Sequence, residues 1–233
     1  MKRQQATPRA EQAYANLREA IIEQALAPGM KLPEDVIGAH FNVSRTLARA
    51  ALVRLHGEGL VDIQPNRSAT VAHPTIEEAK DVFAVRRNLE RLVVQAVMAR
   101  WNKTIEAALK AHLAKEEAAA PQGTSLSGRL AGDFHIKLAE HSGNHVLLRY
   151  LTELVSRCSL ILALYGRPHS SECSVNEHRE LIKAFASKDS ARAMDLMDHH
   201  LGAVEERALL LGQANAPLAL GEILKRRFPK SSK

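Results

Sequence analysis

The chain has 233 residues, 45% of them hydrophobic and only 4% aromatic, with a formal net charge of +6. That length and composition suit one large domain or two smaller ones with an aliphatic core, and no apolar run approaches the roughly 18 residues that a membrane helix needs. The opening MKRQQATPRAEQ has no apolar segment behind its basic residues, as a secretory signal would, and Cys158 and Cys173 do not make a disulfide framework, so the expected setting is reduced and cytoplasmic. The positive charge permits a polyanionic partner. It is unevenly placed: residues 1–74 carry nine basic and seven acidic side chains, the last nineteen residues five and one.

After a polar stretch of ten residues, Tyr14, Leu17, Ile21 and Ala25 recur at helical spacing, which predicts a helix over Glu11–Leu26. Ala27-Pro28-Gly29-Met30 reads as a turn. Pro33 stands at a helix start, where its missing N–H is harmless, and Val36, Ile37 and Phe41 form the apolar face that follows. Ser44 is a natural N-cap for a third helix. In that helix Ala48, Ala51, Leu52 and Leu55 share the core face. Arg45 and Arg49 lie four apart on another face with Thr46 beside them, and Gly57 and Gly59 close the helix. Val61–Gln64 alternates like a strand, Pro65–Ser68 turns, and Ala69–Val71 returns. Three short helices followed by a ribbon is the layout of a winged helix-turn-helix. Its third helix reads the major groove, and its ribbon tip, here Asn66-Arg67-Ser68, reaches the minor groove. Guanidinium groups at the start of that helix suit phosphate oxygens and the guanine O6/N7 edge. An ordinary solvated face is the alternative reading.

From Thr75 the pattern changes. Thr75 and Glu78 form a capping box, and Ile76, Val82, Phe83, Leu89, Leu92, Val93 and Val97 support a helix to about Trp101. Further helices are expected over 103–120, 125–142, 144–165, 174–187 and 189–211, with a break at Pro121-Gln122-Gly123-Thr124. The expected fold is therefore mainly α. It comprises a winged helix-turn-helix domain (1–74), an all-α bundle of six or seven helices (75–213) and a basic tail (214–233) read as a short helix plus solvated charge. Three histidines face inward by periodicity: His135 with Leu138, His178 with Leu181 and Ile182, and His200 with Met197 and Val204. Buried imidazoles need partners. Either each finds its own hydrogen bond, or one metal ion serves all three.

The run Leu26-Ala27-Pro28-Gly29-Met30-Lys31-Leu32, then Phe41-Asn42-Val43-Ser44-Arg45-Thr46, Ala51-Leu52-Val53-Arg54-Leu55 and Glu58-Gly59-Leu60-Val61 resembles the N-terminal domain of GntR-type bacterial transcription regulators. The match covers about residues 12–72. The resemblance implies DNA contacts by Ser44, Arg45, Thr46, Arg49 and Arg67. It also shows departures. Leu47-Ala48-Arg49-Ala50 replaces the usual Pro-Val-Arg-Glu, so the acid that would orient Arg49 is missing, and Ser68 stands where the family has glycine. Downstream, Arg86 … Glu90, Phe134-His135, Ser142-Gly143-Asn144, Glu177-His178 and Met197-Asp198-His199-His200-Leu201 resemble the effector-binding FCD domain of the FadR branch over about residues 76–210. In many relatives an Asp or Asn four residues before the first histidine joins three histidines on a divalent metal. His135, His178 and His200 match those histidines, but position 131 is alanine. Asp133 lies about 200° around the helix from His135 and cannot replace that ligand.

The resulting expectation is a three-histidine site for zinc or nickel, with its remaining positions open to water or to the carboxylate of a small effector. Arg86 is either an anion partner for that effector or half of a buried pair with Glu90. The expected activity is that of a cytoplasmic, homodimeric regulator, usually a repressor, whose hold on double-stranded operator DNA depends on a small metabolite. A metal-free binding module and a three-histidine hydrolase are the alternatives. The hydrolase lacks an evident general base, a nucleophile motif and a phosphate loop, so an enzyme is not expected.

Overall fold

α1 (Pro8–Ile22), α2 (Glu34–Phe41) and α3 (Arg45–Gly57) bury their apolar stripes against one another. Ala13, Leu17, Ala20 and Ile21 of α1, Ile37 of α2 and Ala48, Leu52 and Leu55 of α3 are all essentially inaccessible. The computed structural model describes residues 8–122, 125–166, 172–209 and 220–228. The chain divides into two compact units, residues 1–73 with 214–233, and residues 74–213.

In the first unit, α2 ends on Asn42, whose φ of 53° and ψ of 50° place it in the left-handed region that Asn tolerates. The chain then extends through Ser44, whose side chain accepts a hydrogen bond from the Leu47 N–H at 3.3 Å and so caps α3. Gly38 is needed beside this turn, because a Cβ there would lie 2.9 Å from the Val43 carbonyl oxygen. The sheet has three strands rather than the two read from sequence. β1 (Lys31–Leu32), β2 (Val61–Asp62) and β3 (Ala69–Val71) run antiparallel in the order β1-β3-β2, with Val61 opposite Val71 and Leu32 opposite Ala69. β1 is two residues between Met30 and Pro33, too short to alternate, and it pairs only because Val71 N donates to Met30 O at 2.8 Å and Gly29 N to Val71 O at 2.9 Å.

The second unit comprises α4 (Ile76–Arg100), α5 (Lys103–Ala119), a 3-10 turn (Ala120–Gln122), α6 (Ser125–His141), α7 (His145–Tyr165), α8 (Glu172–Ala186) and α9 (Ser190–Leu209). Polar caps start at least four of the described helices, α9 among them through Asp189, which accepts from Arg192 N at 3.0 Å. Thr75 accepts from Glu78 N, Asn102 from Thr104 N and Ile105 N, and Asn144 from Val146 N and Leu147 N. Gly143, at φ 71°, makes the α6–α7 corner, and the Arg100 guanidinium lies so close that a Cβ there would be 2.8 Å from its Cζ. The bundle core runs through Val93, Val97, Leu109, Phe134, Leu138, Leu151, Phe185 and Met197, with Trp101 stacked on Phe185 at 5.0 Å. A second cluster joins Phe83, Cys158, Ile161 and Val204. Among the described residues no helix is long and apolar enough to cross a membrane.

Two readings are corrected here. Leu92, assigned to the core face of α4, is half-exposed, because Val93 and Val94 carry that face instead. The C-terminal segment is not merely solvated charge. Its helix α10 (Leu220–Arg227) buries Leu220, Ile223 and Leu224 within the first unit, because those positions form one apolar stripe despite the basic residues around them. The Gly123-Thr124 half of the expected break, the side chain of Cys173, and residues 1–7, 210–219 and 229–233 lie outside what is described.

Gly38→Ala forces a backbone carbonyl to move, so the first unit is expected to lose about 1–3 kcal/mol of stability, as overpacked sites do. Chemical denaturation followed by circular dichroism checks this; an unchanged midpoint would show that the corner is not tight.

Candidate functional site

In the first unit Arg45, Arg49 and Arg67 border one groove. Arg45 and Arg49, one turn apart on α3, are 79% and 67% exposed at their side chains, and both reach the same carboxylate. Arg45 Nε donates to Glu34 Oε2 at 2.7 Å and Arg49 Nη1 to Glu34 Oε1 at 3.4 Å. Glu34 is the first residue of α2, only 18% exposed, and it is the partner that sequence reasoning missed. It supplies the orienting acid whose usual place Ala50 occupies. No periodic rule links residue 34 to residues 45 and 49; an acid just after Pro33 at a helix start reads first as a favourable dipole partner. Ser44 serves as the cap, and Thr46 is exposed beside Arg45. At the ribbon tip Asn66 has φ 59°, and Arg67 is exposed with Nη1 donating to Gln64 Oε1 at 3.3 Å. Glu34, Arg45, Arg49, Asn66, Arg67 and Ser68 line one open groove of about 830 Å³. The helix start and the ribbon tip therefore border a single concavity.

The second unit brings the three inward histidines together. His135 on α6, His178 on α8 and His200 on α9 are all buried, and one ring nitrogen of each lies within 4.8 Å of the others. His135 Nε2 and His200 Nε2 are 3.1 Å apart. Phe134 stacks on His178, with ring centroids 3.9 Å apart and planes 8° from parallel. A carboxylate stands behind each imidazole. His178 Nδ1 meets Glu116 Oε2 at 2.8 Å, and His200 Nδ1 meets Glu177 Oε2 at 2.5 Å. His135 Nδ1 lies 2.8 Å from Glu90 Oε1, off the line of a hydrogen bond. Burial pushes all three imidazoles down, His135 well below its usual value, His178 to about 3 and His200 to about 4, so they are neutral near pH 7. Burial raises the Glu116 carboxyl to about 8 and raises Glu90 in spite of Arg86. Burial also pushes Glu177 up, but its hydrogen bond and charge interaction with His200 carry it below the usual range.

These residues fit a metal ion. Each histidine offers an imidazole nitrogen to the centre while a carboxylate stands at the other ring nitrogen, the arrangement that fixes ring orientation in metal-bound histidines. His178 Nε2 is buried with no hydrogen-bond partner, and Glu90 Oε2 and Glu116 Oε1 are likewise unpaired. The 3.1 Å and 4.8 Å figures bracket the roughly 3.3 Å between nitrogens on one tetrahedral zinc at about 2.0–2.1 Å. When both His135 and His200 turn proton-free Nε2 atoms inward, their lone pairs repel at this distance, and a shared cation removes that repulsion. Asp133 lies beside Arg129 at 3.9 Å and is not among the three residues whose ligand atoms converge. Arg86 is buried with Nε donating to Glu90 Oε1 at 3.1 Å, and burial raises the pKa of the nearby Cys158 thiol. Glu116 and Glu177 were not singled out from sequence, because carboxylates on α5 and α8 declare no partner until the helices pack.

The model of the bacterial regulatory proteins of the gntR family matches residues 9–71, and that of the FCD domain matches residues 81–203, more than half of the chain. The chain belongs to the GntR-type regulators that carry an FCD domain, and it is a transcriptional regulator rather than an enzyme. It is 27% identical over 192 residues to YdhC, an HTH-type transcriptional regulator of Bacillus subtilis, covering 80% of this chain and 85% of that one. It is 26% identical over 198 residues to the Escherichia coli HTH-type transcriptional repressor GlaR, covering 81% and 90%. Its fold is similar to that of a GntR regulator from Rhodococcus sp. RHA1, with a TM-score of 0.74 at 23% identity over 87% of this chain and 98% of that one.

Arg86→Met strands the buried Glu90 without its guanidinium, and breaking such a pair typically costs about 3–5 kcal/mol. A drop of that size in the unfolding free energy of the second unit is expected. A drop below about 1 kcal/mol would mean that Glu90 is already neutral.

Proposed function

We propose that this regulator binds operator DNA as a homodimer through Ser44, Arg45, Thr46, Arg49 and Arg67, and that a small anionic metabolite held in the helical bundle alters that binding. The observation that carries this reading is the single groove shared by the α3 arginines and the ribbon-tip arginine. A recognition helix start and a wing tip on one concave face fit the major groove and the adjacent minor groove of a duplex. Dimers of such heads read paired half-sites. We place the second copy on half-exposed apolar residues of the bundle, Val85 and Leu92 on α4 and Val146 and Tyr150 on α7. By linkage, a metabolite that changes operator affinity has its own affinity changed by operator to the same extent. Two relatives from Escherichia coli, GlaR and RspR, are called repressors, and repression is the mode we favour here. A regulator of this kind works in the cytoplasm.

In the bundle, His135, His178 and His200 hold zinc or nickel, and the positions left open take water or the effector's carboxylate. The unpaired His178 Nε2 and the carboxylates behind the rings support this. The bound ion supplies positive charge to which an anionic effector is drawn. Arg86 adds positive potential nearby while engaged by Glu90. Ala131 favours the alternative, a metal-free pocket, because three neutral ligands hold a dication less tightly than a set that includes an acid.

Arg45→Glu with Arg49→Glu is expected to abolish specific binding to DNA from upstream of the protein's own gene, since each bidentate guanine contact contributes about 1–3 kcal/mol. Fluorescence anisotropy measures the loss while circular dichroism checks the fold; retained binding sinks the interface. For the bundle, chains purified without a histidine tag should carry near-stoichiometric zinc or nickel by elemental analysis, and His178→Ala with His200→Ala should release it. Wild-type protein that neither carries the ion nor gains thermal stability from added zinc or nickel decides for the metal-free pocket.

A further inference from the structure

The C-terminal helix α10 lies outside both family matches, which end at residues 71 and 203, yet it is packed into the first unit. We propose that residues 220–228 are a fourth helix of the head, a clasp by which the chain's own C-terminus completes the α1–α2 face and holds α2 in place.

Leu220, Ile223, Leu224 and Phe228 repeat at i, i+3, i+4 and i+8, which is one face of a helix. Leu220, Ile223 and Leu224 are buried, Leu224 completely. Phe228 sits with its ring centroid 6.2 Å from that of Phe41, the last residue of α2. Arg227 makes ion pairs with Glu23 and, at 3.6 Å, with Glu19. An isolated helix of eight residues is not stable in water, so this one exists because it is docked. The surface beneath it also needs it. Glu19 and Glu23 are four residues apart at the C-terminal end of α1, where like charges repel and the helix dipole disfavours a carboxylate. Arg227 offsets both.

α2 is also the helix whose first residue, Glu34, grips Arg45 and Arg49. A clasp on α2 therefore acts as a positioning element for the two guanidiniums, and this last step rests on the DNA-binding reading above.

The test compares the intact chain, a chain ending at residue 213 and a full-length Leu224→Asp variant. Hydrogen exchange reads the amides of α1 and α2 against those of α4–α9 as an internal control. Exchange in α1 and α2 is expected to quicken about tenfold or more in both altered chains, as local openings do when packing is removed, with the bundle unchanged. A synthetic peptide of residues 214–233 should restore protection to the shortened chain, and the same peptide with Leu224→Asp should not. Operator affinity should fall severalfold in Leu224→Asp. Unchanged exchange in both chains overturns the clasp. Restored protection with unaltered operator affinity overturns its positioning role. If the intact chain binds no DNA, the interface proposal fails, while the exchange result still decides whether the clasp exists.

Discussion

Ionisable groups in an aliphatic interior set the terms for the second unit. Arg86, Glu90, Glu116, His135, His178 and His200 are withdrawn from water among Val, Leu and Phe side chains. Each must therefore be satisfied by a neighbour, by neutralisation or by a bound ligand. Arg86 answers to Glu90, and His178 to Glu116 through one ring nitrogen. At the point where the ring nitrogens converge His178 Nε2 is left without a hydrogen bond, as are His135 Nδ1, Glu90 Oε2 and Glu116 Oε1 behind it. A bundle selected for stability alone would fill that point with leucine. Polar groups are gathered there from α6, α8 and α9, with acids behind them on α4, α5 and α8, and on the reading proposed above they receive a charged ligand.

The first unit solves a different problem, holding two long cationic side chains outward without letting them wander. The entropy of a free arginine is large, and a guanidinium fixed before it meets its target loses less on binding. One carboxylate, Glu34, restrains both, and it is itself anchored at the start of a helix. Both arginines stay exposed at their side chains, so on the proposed reading this restraint can be exchanged for phosphate or a base edge.

Much of this could be read from the residues. The helical periods place the elements of both units to within a few residues, and the same periods turn His135, His178 and His200 inward. Ser44 as a cap and Thr75 with Glu78 follow from local hydrogen-bond chemistry. What could not be read depends on distant parts of the chain meeting. β1 has no pattern of its own and exists only because Val71 passes Met30. Glu34, Glu116 and Glu177 are ordinary surface acids until packing sets an arginine or an imidazole against them. The basic residues of α10 drew attention away from Leu220, Ile223 and Leu224, which decide where it goes. Leu92 shows the opposite error, an apolar residue in the right period that lies one position outside the buried arc.

The stacked ring of Phe134 has one further consequence. Lying flat on His178, with Glu116 behind it, it leaves that imidazole little freedom to turn. A cation entering such a socket meets its donors already gathered and aligned. It gains tightness from that, but it has little reason to prefer one arrangement of the surrounding helices over another, and a ligand without such a preference shifts no equilibrium. On the reading proposed above, an ion held here would suit a permanent fitting better than a messenger, and the message would belong to a small anion that completes its coordination.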